Sequence, residues 1–472
     1  MPTSNNPVIR SDFPDPDVIR VGDIYYMVST TMHFFPGGII LKSPDLVNWE
    51  YEAHIFDTLD STPSQRLVEG NIYGKGMWAA SIRYHEGKFY VIFVANDTSK
   101  TYLYTAEDIK GPWTKKVIEG FYHDNSLLFD EDKIYIVYGN REIYLRELDR
   151  NFNLKGEEKL LIRDGSEGLG YEGAHIYKIN GRYYIFLIHW PKGHMRTEVV
   201  FTSEKIEGPW TKISELEDDM GFFGMGVAQG GIVDTPDGRT YAMLFQDHGA
   251  VGRIPVLVEV EWDGIKPVFK KPQAQLDIEQ KENKLFSEDF SSDLWEWNHE
   301  PETDKAKREK DSLTLTTFRL SRDIEDAPNT LTQRTFDPQT TVEVTVNGKD
   351  LKDGDKAGLG ALQGHWAEAA LTRKNGSFSF SYSRKTEDGS ILTDITDLNT
   401  DTISIRAVFD FENMKDTVTF EYKTEGSWIK AGEAHQLLFR LDHFTGARTA
   451  LFCYSTASVG GSAEFTDFRM KL

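Results

Sequence analysis

GDIYYMVST, residues 22–30, reads as a β-strand reached through a turn: Gly22 and Asp23 open it, and aromatic and β-branched residues fill it. The same pattern returns as GKFYVIFVA (87–95), DKIYIVYGN (132–140), GRYYIFLIH (181–189) and GRTYAMLFQ (238–246). Each copy keeps one tyrosine in register, Tyr26, Tyr90, Tyr135, Tyr184 and Tyr241, at intervals of 45 to 64 residues. Eleven or twelve positions before each tyrosine stands an acceptor or an aromatic residue: Asp15, Trp78, Asp124, Glu172 and Gln229. Trp49, Trp113 and Trp210 follow the tyrosines of three copies by 23, 23 and 26 residues and mark an outer strand of the same unit. Short strands repeating at this interval define a β-propeller rather than a single sandwich, and the count gives five blades.

Because the blades are copies of one unit, the five upstream residues take equivalent places at the start of the innermost strand, ringed about one axis. Three carboxylates and an amide around a funnel, with an indole on its wall, point to a carbohydrate site. Sugars present hydroxyls to acceptors and apolar ring faces to aromatics, and glycoside hydrolysis needs two carboxyl groups flanking one bond.

Composition narrows the partners. The 472 residues carry 53 Lys plus Arg against 75 Asp plus Glu, a net charge of −22, which argues against nucleic acid and against an anionic membrane surface. A neutral oligosaccharide or polysaccharide suits this balance, and the oligomeric state is left open. Cys453 is alone, so no intrachain disulfide or thiolate cluster is possible within the sequence. No apolar stretch of signal-peptide or membrane-span length occurs, so a cytoplasmic location is expected.

After the fifth copy a polar stretch, QAQLDIEQKENK (273–284), has the composition of a linker. Beyond Leu285 come short alternating runs such as SLTLTTF, TTVEVTVNG, SFSFSYSR and TVTFEYKTEG, separated by Gly-containing turns. The expected fold is all-β: a five-bladed propeller over 1–280, then an antiparallel β-sandwich of jelly-roll, concanavalin-like type over 285–472. Trp295, Trp297 and Trp366 are expected in its core or at its interface rather than on a sugar platform.

Single residues are weighed against their structural roles. Asp15 and Asp17 flank Pro16, a common turn pairing, but only Asp15 falls on the repeat register. Asp130, Glu131 and Asp132 read as a hairpin turn. Glu172 lies between an aromatic and a glycine, where desolvation and a second carboxylate would favour its protonated form. His175, His189, His194 and His248 have no metal-ligand spacing and read as structural groups. Phosphate loops, dinucleotide fingerprints and nucleophile elbows are absent from the sequence.

The stretches 6–38, 41–50, 76–91, 123–129, 172–186 and 228–256, with FPDPDV, HDNSLLF, EGAHIY and AVGRIPV among them, resemble glycoside hydrolase family 43. WEWNHEP (295–301) and NTLTQR (329–334) resemble the concanavalin-like sandwich of its β-xylosidase and α-L-arabinofuranosidase members. The resemblance implies an inverting exo-hydrolase of pentosides with Asp15 as general base, Glu172 as general acid, and Asp124 tuning and orienting the acid. It further implies Trp78 as a pocket wall, Arg253 as a donor to sugar hydroxyls, and Gln229, Met32 and Phe34 as substrate-binding residues. Met32 stands where many relatives carry Phe. No cofactor is implied: a structural calcium would want an axial His, and Gly226–Gln229 reads Gly-Val-Ala-Gln.

The reading is therefore an exo-acting hydrolase releasing xylose or L-arabinofuranose from xylan, arabinoxylan or arabinan fragments, with room for a water between carboxyl groups roughly 6.5–9.5 Å apart. A catalytically silent sugar-binding propeller and an endo-arabinanase with an open groove are the alternatives.

Overall fold

A computed structural model describes residues 5–281 and 285–472. Residues 282–284, the end of the expected linker, and residues 1–4 lie outside it. Five four-stranded antiparallel sheets follow one another along the chain to Phe269, each strand paired with the next in its blade. In every blade the tyrosine of the repeat lies on the second strand: Ile19 pairs with Tyr26, Arg83 with Tyr90, Leu128 with Tyr135, Tyr177 with Tyr184, and Val233 with Tyr241. Trp49, Trp113 and Trp210 each sit one residue before the fourth strand of their blade, Glu50–Phe56, Thr114–Ile118 and Thr211–Leu216.

The strict equivalence of the five upstream residues needs a correction of one position. Counting four residues back from each tyrosine's partner gives Asp15, Ala79, Asp124, Gly173 and Gln229, so Trp78 and Glu172 lie one residue earlier. The backbone shows the same offset. Asp15, Asp124, Gly173 and Gln229 share a left-handed conformation, with φ of 52°, 46°, 63° and 60°. Register shifts after Met77 and around Glu172 absorb the extra residue in blades two and four. Glycine at 173 has a second cause: a Cβ there would stand 2.7 Å from the Gln229 side chain.

Below this ring the blades are stitched by a buried polar plug. Asp17 of blade one accepts Arg83 Nη1 at 2.7 Å and the Ile82 N–H at 2.8 Å from blade two, and its other oxygen is 3.1 Å from His175 Nδ1 of blade four. Arg83 donates on to Ser126 Oγ and the Leu127 carbonyl of blade three, and the Tyr177 hydroxyl accepts the Ile232 N–H of blade five. With the Arg83 guanidinium 5.1 Å from the Tyr177 ring centroid, every blade contributes a group to this polar cluster at the axis. His175 is structural, as the sequence suggests.

The C-terminal part is a sandwich of an eight-stranded and a seven-stranded sheet. Trp295 and Trp366 are fully buried and Trp297 nearly so. The eight-stranded sheet borrows its first strand from the propeller: Phe34 pairs with Asn298 and Phe35 with Trp297. This overturns the expectation that Phe34 binds substrate. Its ring is buried among Ile324, Leu362, Trp366 and Phe452, with the Arg448 guanidinium 4.0 Å from the ring centroid. Phe34→Ala would leave a core cavity costing about 3–5 kcal/mol. No helix of the described residues is long and apolar enough to cross a membrane.

Candidate active site

Asp15, Asp124 and Glu172 meet at one end of the propeller axis, each with its own partners. Asp15 accepts the Thr30 hydroxyl at 2.8 Å and Arg253 Nη1 at 3.0 Å. Thr30 directly follows the second strand of blade one, Ile24–Ser29, and Arg253 opens the third strand of blade five, so neighbouring backbones hold both donors in place. Nε and Nη2 of Arg253 are buried with no protein partner, which leaves donor capacity unused at this end of the axis.

On the opposite side Glu172 accepts the Asn140 amide, and its Oε2 lies 3.5 Å from His123 Nε2. The same nitrogen is 3.6 Å from Asp124 Oδ2, which also accepts the Gly173 N–H at 3.2 Å. His123 therefore bridges the second and third carboxylates. Burial pushes Asp124 up to about 7; the His123 charge opposes the rise, and the Glu172 and Asp15 charges add to it. The Asp124 charge, acting against burial and helped by Glu172 and Asp15, raises His123 to about 9. The two share their protons as a unit with Glu172 beside them.

Trp78 forms the wall, its ring 5.8 Å from that of His123. On its other side, also at 5.8 Å, lies Phe444 from the sandwich, which stacks 4.3 Å from the Arg253 guanidinium. The sandwich thus covers one side of the funnel. Met32, also at positive φ, bridges to Met77 through paired backbone hydrogen bonds of 3.1 and 3.0 Å and fixes blade one against blade two beside Trp78. Gln229 is buried against Gly173, and its N–H donates to Glu198 Oε2 at 2.7 Å.

Several of these groups escape sequence reading. His123 stands in the HDN triplet immediately before Asp124, and Asn140 closes the run DKIYIVYGN; their positions were visible, their partners were not. Glu198 is signalled by a carboxylate inside the wholly buried strand Thr197–Ser203, where burial raises it to about 8 and favours the neutral acid. Phe444 has no local signal, since it comes from another domain.

His123, Asp124 and Glu172 are the one grouping among the described residues whose donor set, within 4.8 Å, is of a kind that can hold a metal ion. Those donors are the two carboxylates and the imidazole that already contact one another. Position 227 on blade five is Val227, buried in an apolar cluster with Ile232 and Val256.

The five-bladed ring thus gathers three carboxylates, an imidazole and an arginine at one end of its axis. The profile of glycosyl hydrolases family 43 matches residues 4–265, and that of the β-xylosidase C-terminal concanavalin A-like domain matches residues 283–471. The chain belongs to glycosyl hydrolase family 43. It is similar to a β-xylosidase of Formosa agariphila, 31% identical over 63% of this chain and 58% of that relative, and to the non-reducing end α-L-arabinofuranosidase BoGH43B of Bacteroides ovatus, 30% identical over 55% and 52%. A solved bifunctional GH43-CE protein of Bacteroides eggerthii superposes with a TM-score of 0.93 at 38% identity, over all of this chain and 64% of that one. The chain therefore spans about three fifths of the length of these first relatives.

Proposed function

We propose that the protein is an exo-acting, inverting glycoside hydrolase that releases xylose or L-arabinofuranose from hemicellulose fragments. Asp15 takes a proton from water as its oxygen bonds to the anomeric carbon, and Glu172 gives its proton to the departing oxygen as the glycosidic bond breaks. Water supplies the new anomeric hydroxyl, and the turnover leaves Asp15 protonated and Glu172 ionised until a proton returns from one to the other through solvent. Asp15 sits among donors suited to an ionised acceptor, whereas Glu172 sits beside the raised Asp124–His123 pair, and unequal surroundings are what separate base from acid. The observation that carries the exo reading is Phe444, which stacks against Arg253 beside Trp78 and so brings the sandwich over one side of the funnel, where an endo enzyme would need a groove open at both ends. Relatives named β-xylosidase and α-L-arabinofuranosidase support the choice of pentosides.

A panel of natural and chromogenic xylosides and arabinofuranosides, with the anomer of the first product read by NMR, tests it. Single pentose units with inverted configuration are expected. Retention, or internal oligosaccharides as first products, would overturn it, and sugar binding without turnover would return the silent propeller.

A further inference from the structure

Asp12, three residues before the proposed base, stands where the two domains and the pocket meet. It is buried, and each carboxylate oxygen takes a backbone N–H from a different domain: Oδ1 from Arg253 at 2.9 Å, Oδ2 from Gly446 at 2.8 Å. The first is the residue whose guanidinium grips Asp15. The second lies two residues beyond Phe444, the ring stacked on that guanidinium. The Asp12 carbonyl also accepts Arg334 Nε from the sandwich at 2.9 Å.

The surroundings admit no looser arrangement. A Cβ on Gly252 would come within 2.3 Å of Asp12 Oδ1, and one on Gly446 within 2.1 Å of the Val251 carbonyl. Gly252 also holds φ at 106°, which other residues adopt only with strain. The adjoining turn, Gly249–Val251, is held from the sandwich by Asp416 accepting the Ala250 N–H and by the Ala447 N–H donating to the Ala250 carbonyl. Arg253 and Phe444 therefore share one buried joint, and the carboxylate of Asp12 is the group common to both arms.

We propose that Asp12 is a positioning residue that sets the gap between the Arg253 guanidinium and the Phe444 ring, and so the fit of the terminal pentose. The proposal rests on the function given above. Asparagine at 12 keeps an acceptor for the Arg253 N–H and turns its NH2 toward the Gly446 N–H, so the arm that carries Phe444 is released. With the Arg253 arm kept, the donor that Arg253 gives to Asp15 stays in place, and no atom of Asp15 or Glu172 is altered.

Asp12→Asn is compared with wild type, Phe444→Ala and the double variant, by steady-state kinetics on aryl and natural pentosides and by calorimetric binding of free xylose and arabinose, which needs no turnover. We expect KM and the pentose Kd to rise about tenfold in Asp12→Asn, with kcat changed much less. In the Phe444→Ala background the same substitution should add little, because the arm it releases no longer ends in a ring. A merely structural role would lower the unfolding midpoint yet leave the two effects additive. Wild-type KM and Kd in Asp12→Asn, or full additivity, would overturn the proposal. Should Asp12→Asn not fold, Asp12→Ser, whose rotating hydroxyl reaches one N–H without a donor clash, is carried through the same cycle under the same criteria. A wild-type protein that hydrolyses no pentoside would sink the functional reading instead, and the pentose Kd cycle would still decide the role of Asp12.

Discussion

Asp17 and Asp124 are both buried aspartates beside the propeller axis, and their acidities have been driven in opposite directions. Burial favours the neutral form of each. At Asp17 the Arg83 guanidinium and His175 outweigh it and bring the group down to about 2. At Asp124 burial, reinforced by Glu172 and Asp15, wins over His123 and leaves the group near 7. Partners rather than depth decide the outcome. In the plug the Arg83 guanidinium keeps one carboxylate ionised down to low pH, and that ion pair joins blade one to blade two. The pocket gathers three carboxylates near one imidazole, so that Asp124 holds a proton to higher pH than an ordinary aspartate.

The largest expected effects test the pocket half of this contrast. Asp15→Asn should lower kcat/KM about 10²–10⁴-fold on every substrate, because water activation is lost whatever the leaving group. Glu172→Gln should match that loss on natural glycosides and recover on aryl pentosides with acidic leaving groups, which need little protonation. Parallel leaving-group plots for the two variants would remove the distinction between base and acid.

The plug half is read in stability. Asp17→Asn strands the Arg83 charge in the core and should cost about 3–5 kcal/mol, measured from denaturant midpoints. Because the acidity of Asp17 is depressed, its charged form stabilises the fold above the unfolded value near 3.8, by roughly 2 kcal/mol. That contribution is lost as pH falls through 2, and the variant should show no such acid-dependent step. An unchanged midpoint would mean the plug is not what closes the ring.

How much of this was legible follows the reach of each interaction along the chain. The blades, their tyrosine register and the outer tryptophans repeat within the sequence, so they could be read, as could Asp15 and Asp124 on the axis. Glu172 was found too, although its blade carries one extra residue that only the strand register reveals. Phe34 was misread because it was assigned by resemblance alone, while its pairing with Asn298 joins residues more than 260 positions apart. Phe444 and the Asp12 joint are legible nowhere in the chain, since their partners come from the other domain.

The smallest effects are shifts in pH profile, and they come as a pair of opposite sign. Asp124→Asn removes a negative charge beside the acid, so the site gives up its proton more readily and the basic limb of the kcat/KM profile moves to lower pH. His123→Gln removes the positive charge that lies 3.6 Å from Asp124 and 3.5 Å from Glu172. Deprotonation then becomes harder and the limb moves to higher pH, each by about one unit for one neighbouring charge. His123 is raised to about 9, so it stays charged across the range where the limb is measured and does not itself supply the transition. If the double variant returns the limb close to its wild-type position, the two charges act on one proton. Shifts of the same sign would show instead that both substitutions merely loosen the pocket, and the electrostatic contrast between plug and pocket would fail at its active end.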